Sequence, residues 1–260
     1  MRQPAVFLKV ARDVFWMQLS WAFGFLGIML AINIFKIIRS IIQGSGVDNY
    51  YNAVFVAGNI FMFVLGILFM YFLPYYVENG VTRRDYFKGG LIASVGLSVI
   101  IPIIASGISA VEQFVITNVS NLTFNEPDIN SVVLEIDSNI IGDIIQSAIL
   151  TPYIDPASNW ILAMAVFSIN IFIYYLLGWF ISASFYRFDT VTGLGFILIA
   201  LITLMLQDTL LRISLGLPVL ERFAVLESLP SGIIIPGMFL VILILIWVIR
   251  LLTKRIAIKM

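Results

Sequence analysis

Long apolar runs alternate along this chain with short polar breaks, and the pattern predicts six membrane-crossing helices. The runs cover residues 18–38, 53–77, 91–111, 160–185, 193–206 and 233–252. All but 193–206 reach the roughly 20 apolar residues that a helix needs to cross a bilayer. After 206 the pattern loses its regularity. Gln207, Asp208, Arg212, Glu221, Arg222 and Glu227 interrupt the apolar positions, with breaks at Gly216-Leu217-Pro218, Leu229-Pro230 and Pro236-Gly237. That reads as a fifth span running into short re-entrant or interfacial helices before the last span. Irregular backbone at membrane depth is tolerated only where protein covers it or where it lines a cavity. Ahead of the first run, residues 1–17 place Val6, Phe7, Val10 and Val14 at helical spacing among Arg2, Lys9, Arg12 and Asp13. This predicts an amphipathic helix lying on the membrane surface. The segment 112–159 is the one long polar stretch. Within it, Val133, Ile136, Ile140, Ile141, Ile144 and Ile145 recur at helical spacing and predict an amphipathic helix.

Composition agrees with the pattern. The chain is 61% hydrophobic and 12% charged, with a mean hydropathy of +1.04. Soluble domains are nearer ~45–50% apolar and ~25% charged. The expected fold is therefore an all-α integral membrane protein, a single transmembrane domain over 1–260. The chain has neither histidine nor cysteine. That excludes imidazole acid–base chemistry, His- or Cys-liganded metals and thiol nucleophiles. No constellation of carboxylates, Lys, Ser or Tyr takes their place, so the chain is expected not to be an enzyme. No cofactor, metal or nucleic-acid partner is expected of it.

The charges set an orientation. The segment 112–159 carries seven carboxylates and no Lys or Arg, which predicts that it lies outside. With both termini inside, eleven of the 15 basic residues fall on the cytoplasmic side, leaving Lys36, Arg39, Arg212 and Arg222 outside. No acidic residue stands near the middle of a predicted span. That argues against a proton-coupled carrier, whose relay uses one. Asn33, Asn59 and Asn170 are intramembrane amides that either line a path or hydrogen-bond between helices.

The break over 78–90 is a cationic island between the second and third spans: Glu78-Asn79-Gly80-Val81-Thr82-Arg83-Arg84-Asp85-Tyr86-Phe87-Lys88-Gly89-Gly90. Arg84 and Lys88 share a helical face, and Tyr86 and Phe87 offer another. The expectation is a short helix parallel to the membrane whose aromatic knob fits a cleft on a cytoplasmic partner. The bland alternative is a topology signal that touches anionic lipid.

With its place in a six-span chain, this stretch resembles the coupling helix of permease subunits of ABC-2 class ABC transporters. The N-terminal helix resembles that family's connecting helix, and the region before the last span its re-entrant helices. The long acidic segment departs from many members. Compact Gram-positive members, among them exporters of phenol-soluble modulins, are the most similar. The resemblance implies a bacterial cell-membrane exporter of an amphipathic peptide or lipid-like cargo, paired with a second copy or a paralogue. It implies a separate cytoplasmic ATPase that holds ATP and Mg, docked on Glu78, Gly80, Thr82, Arg83, Arg84, Asp85, Tyr86, Phe87 and Lys88. Arg187 and Asp189 in the second inner loop would add to that contact. The chain has no Gly-x-x-x-x-Gly-Lys-Ser/Thr loop with which to cradle phosphates itself. The alternatives are a carrier or channel needing no ATPase, or a membrane sensor using the acidic outer segment.

Overall fold

The computed structural model of the chain describes residues 5–43, 46, 49–119, 124, 140–219 and 221–254. They form α1 (Val6–Gln43), α2 (Tyr50–Tyr71), α3 (Leu73–Glu78), α4 (Arg83–Val119), α5 (Ile140–Ile149), α6 (Pro156–Arg187), α7 (Thr190–Leu215) and α8 (Ser231–Lys254), with a 3-10 turn at Glu221–Ser228. No strand occurs among the described residues. Six helices are long and apolar enough to cross a membrane, counting α2 with α3 as one. The chain is an all-α, multi-pass membrane protein.

Helix α6 is the hub. It packs on α2, α4, α7 and α8, and 61% of its most apolar window is buried, against 17% for α1. Its deepest contact is with α2. A Cβ added at Gly66 would lie 2.0 Å from the Tyr175 carbonyl oxygen, and one at Gly178 would lie 2.1 Å from that of Phe63. The two backbones therefore touch, as small residues permit where no hydrophobic force draws helices together in lipid. Trp179, Tyr175, Phe167 and Phe55 fill the space around this crossing. Helix α1 lies at the rim, mainly along α4.

Three expectations are corrected. The surface helix expected over 1–17 is, from Val6 on, the first part of the first crossing helix, because α1 runs unbroken to Gln43. Its apolar face packs on protein: Val10 and Val14 are buried, and Val10 lies against Gly89 of α4. At ~1.5 Å per residue such a helix reaches about 57 Å, well past a ~30 Å hydrocarbon core. The fifth span does not end near 206. Helix α7 continues to Leu215, and Gly216 stops it with a left-handed φ of +67° while Leu217 N–H returns to the Arg212 carbonyl at 3.0 Å. The irregular region is correspondingly shorter, a 3-10 turn at Glu221–Ser228 in which Val225 is 80% exposed. Helix α4 carries Glu112 within it and ends only at Val119, so the third span outlasts its expected end at 111.

The amphipathic helix expected in the acidic segment is present at Ile140–Ile149 and packs on α7. Val133, Ile136, Glu126, Asp128, Glu135 and Asp137 lie outside the described residues.

Candidate functional site

The island is a corner in which α3 turns into α4. Pro74 opens α3, where its missing N–H costs nothing. Gly80 closes α3 with φ +81°. Its N–H donates to the Val77 carbonyl at 3.0 Å, and the Val81 N–H donates to that of Tyr76 at 2.9 Å. This pair of bonds is a Schellman closure, which favours glycine at the left-handed position. Thr82 then caps α4. Its Oγ1 accepts from the Asp85 N–H at 3.1 Å and donates to Asp85 Oδ2 at 2.7 Å. A hydroxyl and a carboxylate three residues apart, closing on each other, stabilise a helix start.

Tyr86 and Phe87 point inward, so no aromatic knob faces a partner. They are 1% and 8% exposed. The Tyr86 ring stacks on Phe69 with centroids 4.4 Å apart, and its hydroxyl donates to the Phe69 carbonyl. Phe69 meets Trp179 edge-on at 4.6 Å, and Phe87 leans on the same indole at 5.3 Å. The Arg250 guanidinium lies 5.3 Å over Phe87, and its Nη1 donates to the Arg83 carbonyl at 3.4 Å. Gly89 and Gly90 let α4 approach α1 and α2, since a Cβ at Gly90 would lie 2.1 Å from the Phe69 ring. The physical reason is that the island is not a free helix. It is the first two turns of a 37-residue helix, and the face carrying Tyr86 and Phe87 is the face that packs.

What stays outside is Glu78, Gly80, Thr82, Arg84 and Lys88, with Arg83 and Asp85 partly covered. Lys88 Nζ sits 5.4 Å over the Phe7 ring of α1. Beside the corner an open groove of about 630 Å³ runs between α1 and the α3–α4 turn, edged by Lys9, Arg12, Asp13, Tyr75, Asn79 and Val81. The Tyr76 hydroxyl spans its base and donates to Asp13 Oδ2 at 2.5 Å.

The second inner loop stands at the same end. Arg187 Nη1 donates to the Leu251 carbonyl at 2.6 Å and to that of Leu252 at 3.3 Å, closing orphan carbonyls of α8. Asp189 precedes α7 and accepts from Thr192 Oγ1 at 2.6 Å, a bond that holds its carboxyl below the ordinary aspartate range. The two loops thus meet through the last turns of α8, which carry Arg250 to one loop and present carbonyls to the other.

The three amides do not line a common path. Asn33 Nδ2 donates to Glu112 Oε1 at 2.5 Å. Asn59 Nδ2 donates to Thr151 Oγ1 at 2.9 Å, and Asn170 Nδ2 to the Pro152 carbonyl at 3.4 Å. The last two pin the chain that follows α5. Tyr174 holds the same stretch, its hydroxyl donating to the Ala148 carbonyl at 2.8 Å. Tyr153 is buried against Tyr51 and Phe55, and that burial pushes its phenol well above the ordinary value, so it stays neutral.

One polar centre escaped the sequence reading. Asp208 and Arg212 are both buried in α7, where Arg212 Nε donates to Asp208 Oδ2 at 2.8 Å. The Arg212 guanidinium also donates to the Leu150 carbonyl, and to that of Pro218 at 3.4 Å. Gln207 beside them has no partner at either end of its amide. The signal was available. The run 193–206 is too short for a span, and an Asp-x-x-x-Arg pair that closes on itself extends it to full length. This places a carboxylate inside a candidate span, which removes the ground for excluding a proton-coupled carrier.

No family model matches the chain, and no curated protein or solved structure matches it.

Proposed function

We propose that the chain is the membrane-spanning permease subunit of an ATP-driven exporter, coupled to a separate cytoplasmic ATPase at the α3–α4 corner. One observation carries the reading. The corner is capped and braced on α1, α2, α6 and α8, yet it exposes Glu78, Arg84 and Lys88 beside an open groove. A push delivered there enters α4 and reaches the hub α6 through Phe87 on Trp179. In this form the ATPase grips charges at the corner and the groove edge, including Lys9 and Arg12, while Tyr86 and Phe87 carry the push inward.

A second permease copy or paralogue completes the path, ATP and Mg reside on the ATPase, and an amphipathic peptide or lipid-like cargo moves outward. The setting is a bacterial cell membrane with both termini cytoplasmic. A second reading rests on the Asp208–Arg212 pair. A carboxylate that close to a cation inside a span would suit an ATPase-independent carrier.

Affinity purification of the tagged chain from its native membrane, with mass spectrometry, separates the two. The permease reading expects a stoichiometric ATPase that is lost in Arg84→Glu/Lys88→Glu, while membrane insertion and thermal stability stay unchanged. A chain that purifies alone from gently solubilised membranes would shift the reading to the carrier.

A further inference from the structure

At the end of the bundle opposite Arg83, α1 and α4 line a groove of about 660 Å³, within the size range of small-molecule sites. Its walls are apolar, and several of them are open to the surroundings of the bundle: Ile34, Ile38, Val111 and Val115 are about half or more exposed. The groove therefore opens sideways into hydrocarbon. Two polar side chains line it, Asn33 and Glu112, and both present acceptors. Glu112 holds the start of α2, accepting from the Tyr50 N–H at 2.8 Å and from Asn33 Nδ2 at 2.5 Å. Each of its oxygens keeps a further lone pair. Asn33 is 2% exposed and its Oδ1 has no partner. An orphan acceptor at that depth is costly unless something brings a donor to it.

We propose that this groove binds a phospholipid with a primary-amine headgroup, of the phosphatidylethanolamine type, holding an acyl chain along Leu30, Ile104 and Ile108 and the ammonium at Glu112 and Asn33. The charges match this occupant. An ammonium supplies three donors and a positive charge to a carboxylate and an orphan amide oxygen. An apolar chain alone would leave Asn33 Oδ1 unanswered. A trimethylated headgroup carries the same charge but no N–H to give. The site is independent of any ATPase, so it stands or falls apart from the permease reading.

The test uses the intact chain in phosphatidylcholine vesicles doped with a diazirine-tailed phosphatidylethanolamine or its phosphatidylcholine counterpart, followed by peptide mapping of the label. Labelling of residues 30–38 and 104–116 is expected to be roughly tenfold stronger for the ethanolamine headgroup, which is what a hydrogen bond to a charged group contributes at its lower end. Glu112→Gln should bring the ethanolamine lipid down to the choline level. Gly107→Phe offers an independent check, because a side chain there enters open space: a Cβ at Gly107 meets nothing within 4 Å. It should fill the groove and remove labelling by both lipids without disturbing the fold. Equal labelling by the two headgroups would overturn the proposal. So would a preference that survives Glu112→Gln, or labelling that persists in Gly107→Phe. Groove residues shielded from both lipids, as they would be under a second copy of the chain, would overturn it too.

Discussion

Arg212 does the work of several residues. It neutralises Asp208 and also answers two carbonyls, those of Leu150 and Pro218. Removing it leaves a buried carboxylate with neither charge partner nor donor, and two backbone acceptors with one bond fewer. Breaking a buried pair in this way costs about 3–5 kcal/mol. Asp208→Asn breaks the same pair and leaves the Arg212 charge uncompensated, but the amide keeps an acceptor for Arg212 and the carbonyl bonds survive, so its loss should be smaller. The expected order in thermal unfolding of the detergent-solubilised chain is therefore wild type, then Asp208→Asn, then Arg212→Ala as least stable. Equal losses in the two variants would mean that the carbonyl bonds contribute little and that the pair acts alone. The same comparison bears on the carrier reading. A carboxylate kept mainly to hold Arg212 in place should be replaceable by Asn without loss of transport.

At the scale of elements, the α2–α6 crossing is the contact with least tolerance. A methyl group at Gly66 or Gly178 meets backbone oxygen at 2.0–2.1 Å, and no side-chain rotation relieves backbone. Gly178→Val should force the helices apart and cost about 3 kcal/mol, at the upper end for overpacking, read as a lowered unfolding temperature. Gly195→Val, where a Cβ meets nothing within 4 Å, is the control and should be near neutral. The sequence showed that these helices exist but not that they touch, because glycine in an apolar run carries no periodic signal. The island shows the same limit from the other side. Its cationic composition marked one end of the bundle, and helical spacing correctly separated Arg84 and Lys88 from Tyr86 and Phe87. Which of those faces packs depends on where α4 begins and what it meets, and Phe69, Trp179 and Val10 lie far off in sequence. Gly80, Thr82 and Asp85 enter the sequence reading only as contact residues, although a glycine followed by a Thr-x-x-Asp cap is a local pattern that marks a helix start. They shape the corner, and Glu78, Arg84 and Lys88 are the charges it leaves exposed.

For the whole molecule, the two ends differ in charge, and that difference predicts an orientation. Lys9, Arg12, Arg83, Arg84, Lys88, Arg187, Arg250 and Lys254 belong to the end where α4 starts and α8 stops. Of the four basic residues assigned to the opposite side, Arg212 is buried against Asp208 and adds no surface charge. The bias is therefore steeper than a count of the sequence suggests, and basic ends remain cytoplasmic. Because the chain has no cysteine, single cysteines report accessibility without background. Arg84→Cys and Lys254→Cys replace exposed residues at the basic end, and Val225→Cys replaces one beyond the far end of α7. In intact cells a membrane-impermeant maleimide should label Val225→Cys and spare the other two, and permeabilisation should open all three. Labelling of Arg84→Cys in intact cells would invert the bundle and remove the α3–α4 corner from reach of any cytoplasmic ATPase. Labelling of Arg84→Cys and Lys254→Cys from different sides would break the count of six crossings, because four of them separate these two residues and an even number returns the chain to the same face.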